Sequence, residues 1–218
     1  MAILRPGRVG RFNGKIGDVV VSRWRDLTVG RSAPAPSTKE RTPAQLDQQM
    51  RFGMVTTFFN SMAPIVNLGY TSRKNLSPVN AAVQDQINSV ITGVYPAYQL
   101  DFTKVMLTKP KNAIDGGNRL TLTALADAQV SLTWVMRSRA GQEQFSDPKD
   151  KLNIVFYSAT NGKRVFYLKS AERTAETAVF DMPYSLVGNL FHAYLYFSSV
   201  DGKSVSNSEY AGSFTLLE

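Results

Sequence analysis

His192 is the only histidine in the chain, and cysteine is absent. An imidazole can serve as a general base or a metal ligand. His192 lies in the apolar stretch Phe191-His192-Ala193-Tyr194, without thiolate or carboxylate companions at ligand spacing. A lone histidine there reads as an ordinary strand residue and not as a metal centre. The lack of cysteine excludes disulfides, thiolate metal sites and cysteine nucleophiles. Asp115, Asp147, Asp150 and Asp201 stand singly beside turn residues, where turn chemistry accounts for them. No serine sits in a Gly-x-Ser-x-Gly elbow, and no Gly-rich loop leads into Lys-Ser/Thr. Catalytic residues, metal ligands and cofactors are therefore not expected, and the chain reads as a non-enzyme.

Chemistry of a different kind is concentrated at the start. Residues 1–51 hold ten Lys/Arg against four acidic residues, a net of +6 out of the chain's +8. Gly7, Gly10, Gly14, Gly17 and Gly30 punctuate the stretch. Arg8, Arg11, Lys15, Arg23, Arg25 and Arg31 alternate with Phe12 and Trp24, and Arg51-Phe52 repeats the pairing further on. Arginine beside an aromatic ring suits anchoring in a partner protein's groove, and suits equally base stacking with phosphate neutralisation. The Gly-x-x-Gly pairs at 7–10 and 14–17 lack the flanking helices of a nucleic-acid clamp. A segment this short and basic reads as an arm that lies against something else, a neighbouring subunit before a polyanion.

The elements that would position these residues follow from periodicity. Val19-Val20-Val21 within 18–24 reads as a strand, turned by Arg25-Asp26 into a second, Leu27-Thr28-Val29. Such a hairpin is marginal alone and needs a neighbouring sheet. Ser32–Ser37 reads as an extended linker. Thr42-Pro43-Ala44-Gln45 is a helix start, and Leu46, Met50, Met54, Phe58 and Met62, flanked by Val55 and Phe59, mark one apolar face to about residue 61. A second helix starts at Ser77-Pro78, with Val79, Val83, Ile87, Val90 and Ile91 as its stripe and Gly93 as its C-terminal cap. From residue 100 the period changes to two. Eight strands are expected: 100–108, 119–126, 129–136, 151–158, 163–169, 173–181, 192–199 and 204–217.

These elements predict an α+β chain of three parts: a basic arm and linker over 1–41, a helical hairpin over 42–99, and an antiparallel sandwich over 100–218. The spacing of the strands, with Trp134 in the third and Tyr194 and Tyr196 in the seventh, resembles an immunoglobulin or fibronectin type III domain without its disulfide. The blocks Gly10–Val20, Ser22–Arg25, Arg41–Leu46 and Arg51–Gly53, with Asn80–Ala82, Gly93–Pro96 and Asp101–Val105 later, resemble an uncharacterised family from Bacteroidota. That family shares a Gly-x-Phe-x-Gly-Lys-x-Gly-x-Val opening and has no established activity. A similar block, Gly-x-Val with Ser-Arg, Arg-Thr-x-x-Gln and Arg-Phe, resembles the start of proteins associated with phage and prophage clusters, which implies a virion or particle component.

Composition narrows the remaining classes. A hydrophobic fraction of 43% and a charged fraction of 19% are those of a folded chain. No apolar run reaches the ~18 residues that span a bilayer. MAILRPGRVGRF lacks the apolar stretch of a secretory signal, so cytoplasmic synthesis without membrane insertion is expected. The leading expectation is a structural protein that assembles with itself or with other particle proteins through its arm. The alternatives are a nucleic-acid-binding protein that uses the arm, and a surface-binding adhesin with Tyr184, Tyr194, Tyr196 and Tyr210 as its platform.

Overall fold

Val19-Val20-Val21 does form a strand, but not in an isolated hairpin. The computed structural model describes residues 2–4, 13–24, 27–35, 39–70, 76–136 and 147–218. Met1–Thr42 and Pro43–Glu218 form separate units. In the first, β1 (Ala2–Leu4), β2 (Gly14–Ile16), β3 (Val19–Trp24) and β4 (Leu27–Ser32) make an antiparallel sheet in the order β1-β4-β3-β2. The expected hairpin is its centre, in register from Val19↔Ser32 to Trp24↔Leu27. Two three-residue strands, too short to show a period, flank it on either side. Ile16 pairs with Val19 across Gly17-Asp18, and Gly17 takes φ +56, which a two-residue hairpin turn asks of its first position. Ser32, expected in the linker, ends β4, and the Ala33 amide donates to the Asp18 carbonyl at 2.7 Å.

The second unit begins with α1 (Pro43–Ser61) and α2 (Ala63–Gly69), followed by α3 (Pro78–Gln86). Pro64 lies in the first turn of α2. Ser77 caps α3 by accepting from the Asn80 amide at 3.2 Å. The second helix is shorter than its apolar stripe predicts. It stops at Gln86, Val90 is fully buried beyond it, and Ile91 enters a two-stranded ribbon of β5 (Ile91–Thr92) and β6 (Gln99–Leu100). Gly93 is therefore not a helix cap. It sits left-handed, φ +88, in the turn of that ribbon, where an added Cβ would lie 2.5 Å from the Ala97 carbonyl oxygen.

Seven strands follow: β7 (Thr121–Leu125), β8 (Gln129–Thr133), β9 (Lys151–Ser158), β10 (Arg164–Glu172), β11 (Thr177–Asp181), β12 (Leu190–Ser198) and β13 (Glu209–Thr215). They form two antiparallel sheets, β10-β9-β12-β13 and β11-β8-β7. The inner faces meet in one core: Leu152, Ile154 and Phe156 of β9 and Phe191, Ala193, Leu195 and Phe197 of β12 against Val130, Leu132 and Phe180. The intervening residues of the same strands, Val155, Tyr194 and Tyr196, join a second core with Phe58, Phe59, Met62 and Val83 of the helices. The larger sheet is thus buried on both faces, which is why β9 and β12 read as nearly continuous apolar runs. Helices and sandwich share one unit.

One expected strand, 100–108, is absent. Asp101 accepts from the Thr103 amide at 3.1 Å and starts a 3-10 turn over Phe102–Lys104. The alternation of buried Val105 and Leu107 is real, but side chains replace the ladder. The Met106 amide donates to Gln86 Oε1 at 2.8 Å, and the Leu107 and Thr108 amides donate to Ser208 Oγ at 2.7 and 3.1 Å. Two other strands start later than expected. Residues 173–175 are a 3-10 turn before β11, and β13 begins at Glu209.

Candidate functional site

The imidazole of His192 is placed by β12 on the face of the larger sheet that the helices cover. It stacks on Phe102, with centroids 4.1 Å apart and planes at 23°, and Nδ1 lies 2.9 Å from the Tyr210 hydroxyl. Burial holds its pKa below the usual histidine range. Its polar contact is a phenol and its ring contact is aromatic, so the group packs as a neutral side chain. That is the role of an ordinary strand residue.

The tyrosines proposed for an adhesin platform do not form one. Tyr194 and Tyr196 are buried on the same helix-covered face, and Tyr194 donates to the Phe102 carbonyl at 2.9 Å. Burial pushes both phenols up, that of Tyr196 to about 12. Tyr210 is half-buried beside His192, and only Tyr184, 63% exposed in the loop before β12, faces solvent. The pattern of alternating tyrosines was legible, but the helical layer that covers them was not.

Of the arm residues, Arg8, Arg11, Phe12 and Arg25 lie outside the described residues, and Trp24 is placed only as the end of β3. Lys15, Arg23 and Arg31 are exposed. Register brings Lys15 of β2 and Arg31 of β4 to one face of the sheet, one on each side of Val20, and puts Arg23 on the other. Beside the Gly17 turn, Ile16 and Val19 are 60% and 46% exposed. Arg51 and Phe52 separate. Arg51 Nη2 donates to Asn88 Oδ1 at 3.2 Å, and the guanidinium stands 6.0 Å above the Tyr98 ring. The Tyr98 hydroxyl in turn donates to Asp47 at 2.5 Å. Phe52 is 51% exposed, as are Leu46 and Met50 to a lesser extent, so the expected apolar face of α1 is buried only from Val55 onward.

Periodicity does not reveal the buried ion pair between Arg173 and Asp150, 3.1 Å apart. Arg173 also donates to the Asp115 and Gly116 carbonyls at 2.7 and 2.8 Å and stacks 3.8 Å above Phe197. Burial pushes the Asp150 carboxyl up against the pull of the guanidinium. Asp150 is therefore not a solvated turn residue. The pair fastens the loop at 115–116 to the end of the sandwich, and its only sequence signal was an arginine at a strand boundary. Asp147 and Asp201 do act as turn residues, accepting the Lys149 and Lys203 amides at 2.9 and 3.1 Å. Among the described residues no helix is long and apolar enough to cross a membrane.

Strand order defines the class: an α+β protein whose seven-stranded sandwich has the four-plus-three antiparallel order of immunoglobulin and fibronectin III domains, with helices laid over the larger sheet. Over residues 11–212 the chain matches, and belongs to, the family of unknown function DUF6266. No curated protein matches it significantly. Among solved structures, it is similar to the fn3 domain of human collagen alpha-1(XX) chain, with 8% identity over 50% of this chain and 90% of that one and a TM-score of 0.33. It is also similar to domains d3-d4 of the rat CD45 extracellular region, with 12% identity over 92% and 96% and a TM-score of 0.34. At such scores the fold assignment stands on strand order and not on these likenesses.

Proposed function

We propose that the chain is a non-enzymatic assembly protein, a component of a virion or phage-like particle, whose N-terminal sheet docks on a neighbouring subunit. One observation carries this reading. Residues 1–42 form their own small sheet unit that exposes Ile16 and Val19 on the face of Arg23, and Lys15 and Arg31 on the other. Valines and isoleucines on the surface of a small sheet suit docking, and arginine and tryptophan suit anchoring. Its outer strand β2 offers a backbone edge for strand pairing with a partner. The resemblance of the N-terminal block to phage and prophage proteins supports the particle setting. The test is light scattering coupled to size exclusion on the full chain and on a version lacking residues 1–41, at low and high salt. Salt-insensitive oligomers of the full chain and folded monomers of the truncated one are expected. Unchanged assembly of the truncated chain would sink the proposal.

A second reading, nucleic-acid binding, draws on Lys15 and Arg31 sharing one sheet face. The same experiment separates the two. Nucleic acid co-eluting only with full-length monomers, and lost steeply as salt rises, would favour this reading over assembly.

A further inference from the structure

The two edge strands of the larger sheet differ. Among the described residues no strand pairs with the outer side of either, but β13 packs closely beside β7 of the other sheet, whereas β10 meets β11 only sparsely, with Tyr167 against Phe180. The Ser158 amide donates to the Lys163 carbonyl at 2.8 Å, so Lys163, Val165 and Tyr167 turn their backbone groups inward to β9. Arg164 and Phe166 therefore turn theirs outward. A groove of about 510 Å³ runs along this stretch, with Lys163 to Phe166 as one bank and Pro183 and Leu186 as part of the other. The register shift after Tyr167, with Lys169 left-handed at φ +52, ends the regular edge there.

Charge selects the occupant. Lys163, Arg164 and Lys169 form no ion pair with any described carboxylate. A basic edge repels a second copy of itself, and it repels equally the N-terminal unit, which carries nine Lys/Arg against three acidic residues. The same charge attracts a strand with carboxylates on alternate residues along the face of Arg164, whose other side chains can rest on Val165 and Leu186 on the sandwich side.

We propose that the free edge of β10 and the adjoining groove are a docking site for an extended acidic peptide segment of a partner protein, added as a further strand of the larger sheet. The site is separate from the N-terminal sheet unit and does not depend on its role. The probe is a fluorescent peptide of about seven residues alternating Glu and Val, the reach of an ordinary strand, titrated into the full chain by anisotropy. Its controls are an alternating Lys/Val peptide and a Glu/Val peptide interrupted by prolines. Binding of the Glu/Val peptide alone is expected. The double variant Lys163→Glu, Arg164→Glu should weaken it about tenfold or more, the scale of reversing charges at a docking rim. Arg164→Pro should abolish it, because it removes an outward amide without breaking a bond to β9. Thermal melts of both variants check the fold. If Arg164→Pro is unfolded, the charge variant decides alone. The proposal is overturned if the wild-type chain does not bind the Glu/Val peptide, if a folded variant binds it as well as wild type, or if the proline-interrupted peptide binds equally. It is also overturned by self-association that Arg164→Glu abolishes, which would assign the edge to a second copy.

Discussion

The chain builds two four-stranded antiparallel sheets from similar β-branched and aromatic residues, and places them in opposite situations. The sheet β10-β9-β12-β13 is packed on the smaller sheet of the sandwich through Phe156, Phe191 and Leu195 and under the helices through Tyr194 and Tyr196. The sheet β1-β4-β3-β2 buries Val21 and Val29 but leaves Ile16 and Val19 in solvent. In the first, the side chains on both faces stabilise the fold, and only the edge of β10 is left for a partner. In the second, a few buried residues hold the strands and the remaining surface is available. The difference lies in what lies over each face and not in strand propensity.

That comparison can be broken at its strongest point. Phe156, fully buried between the sheets and in edge contact with Phe180 and Phe214, should cost about 3–5 kcal/mol on Phe156→Ala. Val19→Ala, on the exposed sheet, should stay within about 0.5 kcal/mol. Chemical denaturation of both variants checks the pair, and equal losses would refute the contrast. Next in size is the ion pair. Asp150→Ala leaves Arg173 buried without its carboxylate and should cost about 3 kcal/mol, read as a lowered denaturation midpoint.

The smallest effect concerns His192. Burial lowers its folded pKa below the unfolded value of about 6.5. The unfolded chain therefore takes up the proton first. Stability is full above that value and falls as pH drops through it, levelling off below the depressed folded pKa. Denaturation midpoints across this window should decline for the parent chain and stay flatter for His192→Gln. A parent without any decline would place the imidazole in solvent and remove it from the doubly buried sheet.

The local signals were strong where they rest on neighbouring residues. Ser77-Pro78 started a helix, and the alternations at 121–125 and 129–133 became strands because burial on one face of a strand repeats every second residue. Signals failed where a distant residue supplied the partner. Val105 and Leu107 alternate like a strand, yet Gln86 and Ser208 satisfy the backbone there. Leu46 and Met50 extend an apolar stripe whose burial begins only at Val55. Of the candidate site, the charge and the aromatic residues of the N-terminal segment were plain in the sequence. That Lys15 and Arg31 share a face depends on β2 and β4 both pairing with β3, a matter of register.

The sequence by itself determined an α+β chain with a basic start, two helical stretches and a run of short antiparallel strands, because caps, turns and periods act within a few residues. Tertiary structure alone decided that the helices cover the tyrosines of β12, that Arg173 meets Asp150 across 23 positions, and that among the described residues no strand pairs with the outer side of β10. Each of those depends on which surfaces meet after the chain has folded back on itself, and long-range burial leaves no periodic mark on the residues that take part.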